Sequence, residues 1–357
     1  MNRSAKLFQP KPMLREKSKM NLRIPALAVA AALAATTVQA AETVNVYSSR
    51  HYQADKMIYA NFEKKTGIRV NVVEGNVNAL FERLRREGRN SPADVLITVD
   101  AGNLGRAQSA GLFQPLKSDV IEKAVPAALR EPTGLWTGLT MRARVIMYDK
   151  TRVKPSQLST YENLSDPKWK GKILVRSSNH IYNQSLVASL IAAHGVTKVE
   201  AWAKGIVANL ARKPKGGDRD QIKAVAAGEG DIAISNTYYL GLLSASKSAA
   251  DKAVVAKIGV FFPNHRDRGT HVNVSGAGLT KYAPNKANGI KFIEYLVSKE
   301  VQELVARENF EYPVREDVEM APVVASWGKF KRDDLNVSII GKNNPAAVKL
   351  LDRVGWR

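Results

Sequence analysis

Short apolar segments of two different periods alternate along this chain, and that alternation constrains its fold more than any other feature. Thr43–Tyr47 (TVNVY), Arg69–Glu74 (RVNVVE) and Asp94–Val99 (DVLITV) have the length and β-branched content of buried strands. Helical patterns follow each of them. Gln53–Lys65 gathers Met57, Ile58 and Phe62 on one face, Asn78–Glu87 gathers Leu80, Phe81 and Leu84, and Leu104–Ala110 is shorter; Gly67, Gly88 and Gly111 stop them. This β-α-β-α-β-α order predicts an open, mostly parallel α/β sheet.

The second half repeats the style without repeating the sequence. Val145–Tyr148, Lys172–Arg176, Asp231–Ser235 and Lys257–Phe262 read as strands, and Asn183–His194 and Gln221–Ala227 as helices. Lys286–Arg307 reads as one long helix with Ile290, Ile293, Val297, Val301 and Leu304 at core spacing. A chain of 357 residues exceeds one small core. With short loops and no low-complexity linker, it predicts two compact lobes joined by extended crossovers.

The first 40 residues are read as an address, not as fold. Arg15, Lys17, Lys19 and Arg23 precede an alanine-rich apolar run, Ile24–Val38, that ends Val38-Gln39-Ala40. This is the pattern of a secretory signal peptide, with cleavage expected after Ala40. The run is too short and too alanine-rich for a transmembrane span. From Met20 onward the segment already holds a complete signal, so Met1, Met13 and Met20 are all candidate starts.

Charge and cysteine content then exclude several classes. Lys+Arg outnumber Asp+Glu by 54 to 33, a net charge of +21; without the seven bases and one acid of the leader it is +15. No run of five bases occurs and no nucleic-acid signature is present, so the excess reads as a solvated basic surface on an exported protein. Cysteine is absent, which excludes disulfides, iron–sulfur clusters, thiolate zinc sites, cysteine nucleophiles and a lipid-modified cysteine anchor. No GxSxG, HExxH or P-loop occurs, and the chain is expected not to be an enzyme.

In open α/β sheets ligands sit where strands turn into helices. Those junctions here read Ser48-Ser49-Arg50-His51-Tyr52, Ser177-Ser178-Asn179-His180-Ile181-Tyr182-Asn183 and Asn236-Thr237-Tyr238-Tyr239. Four of the eleven tyrosines lie there. A phenol is a poor acid or base near neutrality, but a phenolate is a hard anionic oxygen suited to Fe³⁺, as in catalase. Taken singly, each tyrosine also fits a core or rim residue with its hydroxyl hydrogen-bonded. On a β-like stretch, adjacent tyrosines would point to opposite sides. His180, His194, His265 and His271 read as loop or helix-end histidines.

Tyr47-Ser48-Ser49-Arg50-His51-Tyr52, Arg142-Ala143-Arg144-Val145, Tyr182-Asn183, Asn236-Thr237-Tyr238-Tyr239 and His271-Val272-Asn273-Val274-Ser275-Gly276-Ala277-Gly278 together resemble the periplasmic ferric iron-binding proteins, the substrate-binding components of iron(III) ABC importers (the FutA/FbpA group). The resemblance runs through nearly all of the chain after Ala40. It implies a bilobal type II periplasmic binding protein, two open α/β lobes joined by two crossover strands, that closes on Fe³⁺ and hands it to an inner-membrane ABC permease as a monomer. It implies His51, Tyr52, Tyr182, Tyr238 and Tyr239 as metal ligands. Classical members carry a glutamate ligand just after the strand that matches DVLIT; here Val99 stands there, followed by Asp100, a supporting group rather than a ligand. Four phenolates on Fe³⁺ leave a negative site, for which Arg142 and Arg144 are the candidate counter-charges.

The expected lobes are residues 41–139 with 270–320, and residues 140–269 with 321–357. The alternative within the same fold is a small-anion or organic-ligand receptor, in which Ser48-Ser49-Arg50 before a helix N-terminus forms an anion nest.

Overall fold

The structure, a computed structural model, describes residues 42–357; the expected leader and its cleavage point after Ala40 lie outside the described residues. The described part opens with β1 (Thr43–Ser48), α1 (Gln53–Thr66), β2 (Arg69–Glu74), α2 (Val77–Glu87), β3 (Val95–Val99), α3 (Ala101–Ser109), the two-residue β4 (Phe113–Gln114) and α4 (Asp119–Ala124). A long strand, β5 (Thr137–Asp149), leads to β6 (Ile173–Leu174), α5 (Ile181–His194), α6 (Val196–Ala208), α7 (Asp218–Ala227), β7 (Ile232–Asn236), α8 (Thr237–Ser244), α9 (Ala249–Lys257) and β8 (Ile258–Phe261). The chain continues through β9 (Val272–Thr280), α10 (Lys286–Leu296), α11 (Lys299–Asn309), β10 (Tyr312–Pro313), α12 (Pro322–Ala325) and α13 (Ser338–Arg353).

The opening alternation folds as the sequence reading expects. Gly67 takes a left-handed conformation (φ 73°) and returns its N–H to Glu63, ending α1, and the Asn76 side chain caps α2 by accepting from Asn78. β1 lies between β2 and β3, parallel to both. The expectation of a mostly parallel sheet fails beyond this point. β9 inserts antiparallel between β3 and β5, and β5 is antiparallel to β7 and β8.

β5 is the strand on which the architecture turns. Its first half pairs with β9 on one edge and with β10 on the other (Tyr312 opposite Met141), and its second half pairs with β7 and β8. It therefore belongs to two sheets, the first ordered β2-β1-β3-β9-β5 and the second β5-β7-β6. All thirteen of its residues are buried, so it lacks the alternation of a half-exposed strand, and only Val145–Tyr148 of it is legible from sequence.

Other departures have local causes. The single helix expected over Lys286–Arg307 is two, because Ser298 leaves the helical conformation and caps α11. α3 begins at Ala101 rather than Leu104, since Asp100 caps it by accepting from Gly102. The strand expected over Lys172–Arg176 shrinks to Ile173–Leu174. α13, which carries Pro345 in its interior, packs on both α5 and α3. Where it crosses α3 the backbones nearly touch: a Cβ on Gly105 would stand 2.5 Å from the Gly341 Cα.

Candidate functional site

The tyrosines singled out from sequence occupy helix starts. Tyr52 is the N-cap of α1, and its N–H donates to Asp55, which also holds the buried Arg50 at 2.5 Å. Tyr182 is the second residue of α5, where its N–H donates to Nδ1 of the cap, His180. Tyr238 and Tyr239 lie in the first turn of α8, directly after β7. They do not point to opposite sides, as a strand would place them; their rings lie 4.2 Å apart at 34°.

The hydroxyls converge. Tyr182 and Tyr238 are buried and their hydroxyls meet at 3.1 Å. Burial raises the Tyr182 hydroxyl well above the usual phenol range, and the nearby Tyr239 and Tyr52 add to this while Arg142 opposes it. For Tyr238 the order is burial, then Tyr182, Tyr239 and Tyr52, again against Arg142. Tyr52 is raised by burial and by the Glu311 carboxylate, with Arg142 and Arg50 pulling the other way. All three are therefore protonated at neutral pH in the absence of a cation, and a strong Lewis acid is the agent that displaces such protons.

His51 stands apart from this cluster. Its side chain is 56% exposed and its Nδ1 lies 3.5 Å from Glu74 Oε2. It lines a cleft of about 370 Å³ together with His180, Arg106, Asn78, Asn103 and Gln184. His180 is pushed down to about 3 by burial and by Arg176 and Arg144, so its ring is neutral and free to accept at Nδ1. His271 is a connecting residue just before β9, but a buried one, and burial with Arg268 and Arg144 likewise pushes it down to about 3. His194 is at the end of α5, 2.7 Å from Glu162, and His265 accepts from the Lys331 N–H, as loop and helix-end residues do.

Arg142 and Arg144 lie two residues apart on β5, hence on one face of it. Both are buried, so neither is a solvated base. Arg142 donates through Nη2 to Ser275 Oγ and Glu311 Oε1, each at 2.5 Å, and to the Tyr52 hydroxyl at 3.5 Å; its guanidinium is 5.9 Å from the Tyr238 ring centroid. Arg144 donates to Asn236 at 2.9 Å, to Asn183 at 2.6 Å and to Asp218 at 3.4 Å, and Arg176 shares Asp218 from the other side at 3.5 Å.

Asp100 caps α3 and reaches across to α5. It is buried, adopts φ 80°, and its Oδ1 accepts from the Gly102 N–H and from Ser185 on α5. The Ser48-Ser49-Arg50 segment does not form an open anion nest. Ser48 Oγ accepts from the Arg50 N–H, Ser49 donates to Thr98, and the Arg50 guanidinium is taken by Asp55. Among the described residues no three His, Asp or Glu side chains gather as a metal cluster, whereas the Tyr182 and Tyr238 hydroxyls do meet, and phenolic oxygen suits a hard cation. Sequence reasoning missed Glu311 and Asp218, neither of which has a local signal: they reach their arginines from 169 and 74 residues away.

Comparisons with known proteins converge with this geometry. The profile of the bacterial extracellular solute-binding proteins matches residues 90–336. Iron uptake protein A1 of Synechocystis sp. is 52% identical over 316 residues, which cover 88% of each chain. The solved structure of FutA (IdiA) from Trichodesmium, in complex with iron and citrate, is 56% identical with a TM-score of 0.86, over 88% of this chain and 100% of that one. The ferric binding protein of Campylobacter jejuni is 45% identical with a TM-score of 0.84, over 88% and 100% of the two chains.

Proposed function

The chain belongs to the bacterial extracellular solute-binding proteins, alongside the iron uptake and ferric iron-binding members, and from that premise we propose that it captures Fe³⁺ in the cleft between two lobes and delivers it to an inner-membrane ABC permease. The observation that carries this reading is the contact of two buried phenols, Tyr182 and Tyr238, at 3.1 Å. Two such hydroxyls side by side in a dry site are poor hydrogen-bond economy for a core but a natural oxygen pair for a trivalent cation.

In this reading Tyr52, Tyr182, Tyr238 and Tyr239 bind as phenolates, and His51 completes the set by turning from Glu74 toward the neighbouring Tyr52. Arg142 and Arg144 offset the negative charge. Residues 41–139 with 270–320 form one lobe and residues 140–269 with 321–357 the other, so that Tyr52 and the remaining tyrosines come from opposite sides and hold iron fully only on closure. The protein performs no covalent chemistry and works as a monomer in the periplasm, after export and cleavage behind Ala40.

Adding ferric iron as its citrate complex to the purified apo-protein tests the reading. A broad visible tyrosinate-to-iron band is expected, lost in the Tyr238→Phe/Tyr239→Phe double variant and retained in Tyr282→Phe. A colourless wild-type product overturns it.

A further inference from the structure

One buried acid beside the tyrosines has no role in the iron-binding reading. Glu311 follows Phe310, which adopts a left-handed conformation (φ 57°) at the end of α11, and precedes β10, where Tyr312 pairs with Met141. That register sets Glu311 beside Arg142. Its side chain is enclosed; Oε1 accepts from Arg142 at 2.5 Å and from the Tyr52 hydroxyl at 3.2 Å, and Oε2 is buried without a hydrogen-bond partner. The segment is also wedged in place. Gly241 of α8 lies so close to Phe310 that a Cβ there would meet the phenylalanine Cβ at 2.4 Å, so Glu311 is tied to the helix that carries Tyr238 and Tyr239.

Besides Asp55 on its N–H, three charged groups lie about the Tyr52 ring and hydroxyl. Arg50 lies 5.3 Å from its ring centroid but is paired with Asp55, Arg142 reaches its hydroxyl at 3.5 Å, and Glu311 is nearest of all. We infer that Glu311 sets the affinity of the cleft: its carboxylate, held at the Tyr52 oxygen by the Arg142 ion pair, weakens ferric iron binding and keeps the metal releasable. The inference rests on the reading of Tyr52 as an iron ligand. While Tyr52 is a phenol, it donates to Glu311 and the contact is favourable. Once its oxygen is bound to metal as a phenolate, that hydrogen bond is gone and two anionic oxygens face each other in a low-dielectric site. Arg142 is divided between them, so its charge offsets only part of the repulsion.

The test follows loss of the visible band when EDTA is added to iron-loaded wild type and Glu311→Gln. Glutamine keeps an acceptor oxygen for Arg142 and Tyr52 but carries no charge, and iron removal is expected to slow by about tenfold or more. In a Tyr52→Phe background the same substitution is expected to change the rate little, because the oxygen it acts on is absent. Equal or faster release from Glu311→Gln, or an undiminished effect without the Tyr52 hydroxyl, overturns the inference. Should Glu311→Gln fail to fold, Glu311→Asp keeps the charge but withdraws it by one methylene; slower release by a smaller factor is then expected, and an unchanged rate overturns it. A wild-type protein that takes up no iron overturns the reading of the cleft itself, so the two failures are distinguishable.

Discussion

Asp100 accepts the Ser185 hydroxyl at 2.5 Å, a contact that ties the start of α3 to the helix bearing Tyr182. It joins the helix that follows β3 to the helix that follows β6, 85 residues apart in sequence. The geometry requires φ 80° at a non-glycine residue and leaves Oδ2 buried without a partner. Such a position is costly for a charged side chain and tolerable for a neutral one of the same shape.

Burial raises the Asp100 carboxyl above the usual aspartate range, against the lowering by Ser185, Gly102, Asn273 and Arg142. A group raised on folding contributes stability below its unfolded value and loses it as pH rises through its folded value. Asp100→Asn, which keeps the acceptor for Gly102 and Ser185, is therefore expected to leave the apo-protein as stable or more stable at pH 7, by up to about 1 kcal/mol. Ser185→Ala is expected to lower stability by about 1 kcal/mol, since it removes a partner from a buried carboxylate. Urea unfolding of both variants checks the pair, and a large loss in Asp100→Asn contradicts the argument.

The Arg144 site is expected to be far less forgiving. Arg144 and Asp218 are buried, Arg176 is partly exposed, and the two arginines share the one carboxylate. Arg144→Met removes the donor to Asn183, Asn236 and Asp218 together and is expected to cost about 3–5 kcal/mol. Asn236→Ala, which withdraws only one neutral acceptor, is expected to cost about 1–2 kcal/mol. Thermal unfolding of the two variants separates them; equal losses contradict the cluster's role.

How much of this was legible in the sequence follows from where each signal is stored. Local period and capping are written in neighbouring residues, so β1, α1, β2 and α2 are recovered almost to the residue. The tyrosine-bearing junctions are equally local. β5 and β9 are not, because strands buried on both faces carry no alternation, and the two arginines inside β5 disguise it further. The Ser298 break is local too, but an unbroken apolar stripe across it hides the change of helix. Glu311 and Asp218 were invisible for a different reason: their meaning comes only from the arginine they meet through the fold.

Acid is expected to weaken the apo-protein through His271. The ring is buried among Arg268 and Arg144 and is pushed down to about 3, against about 6.5 when unfolded. A histidine depressed on folding contributes stability that is complete above pH 6.5 and eroded as pH falls toward 3. At pH 4.5 the loss amounts to as much as about 3 kcal/mol. His271→Gln is expected to be less stable than wild type at pH 7, from lost packing, yet to lose less on going to pH 4.5. Guanidinium unfolding at the two pH values measures both slopes, and parallel losses contradict the assignment.

The crossing of α13 over α3 depends on two glycines facing each other. A Cβ on Gly105 would lie 2.5 Å from the Gly341 Cα, and one on Gly341 would lie 2.7 Å from the Gly105 Cα. Both obstacles are backbone, so no side-chain rotation relieves either contact, and the helices must separate. Gly105 lies within α3, where alanine would otherwise favour the helix by about 1 kcal/mol. Gly105→Ala thus opposes a favourable propensity with an unfavourable overlap, and the overlap, at about 1–3 kcal/mol for forced backbone shifts, is expected to win. Because α13 also packs on α5, its displacement is expected to loosen the start of the helix bearing Tyr182. Gly105→Ala should therefore lower the melting temperature and speed iron loss to EDTA. Gly88→Ala, with open space around its Cβ but a φ of 53°, should lower stability through backbone strain alone and leave the rate of iron loss unchanged. A Gly105→Ala protein as stable and as retentive as wild type contradicts the coupling.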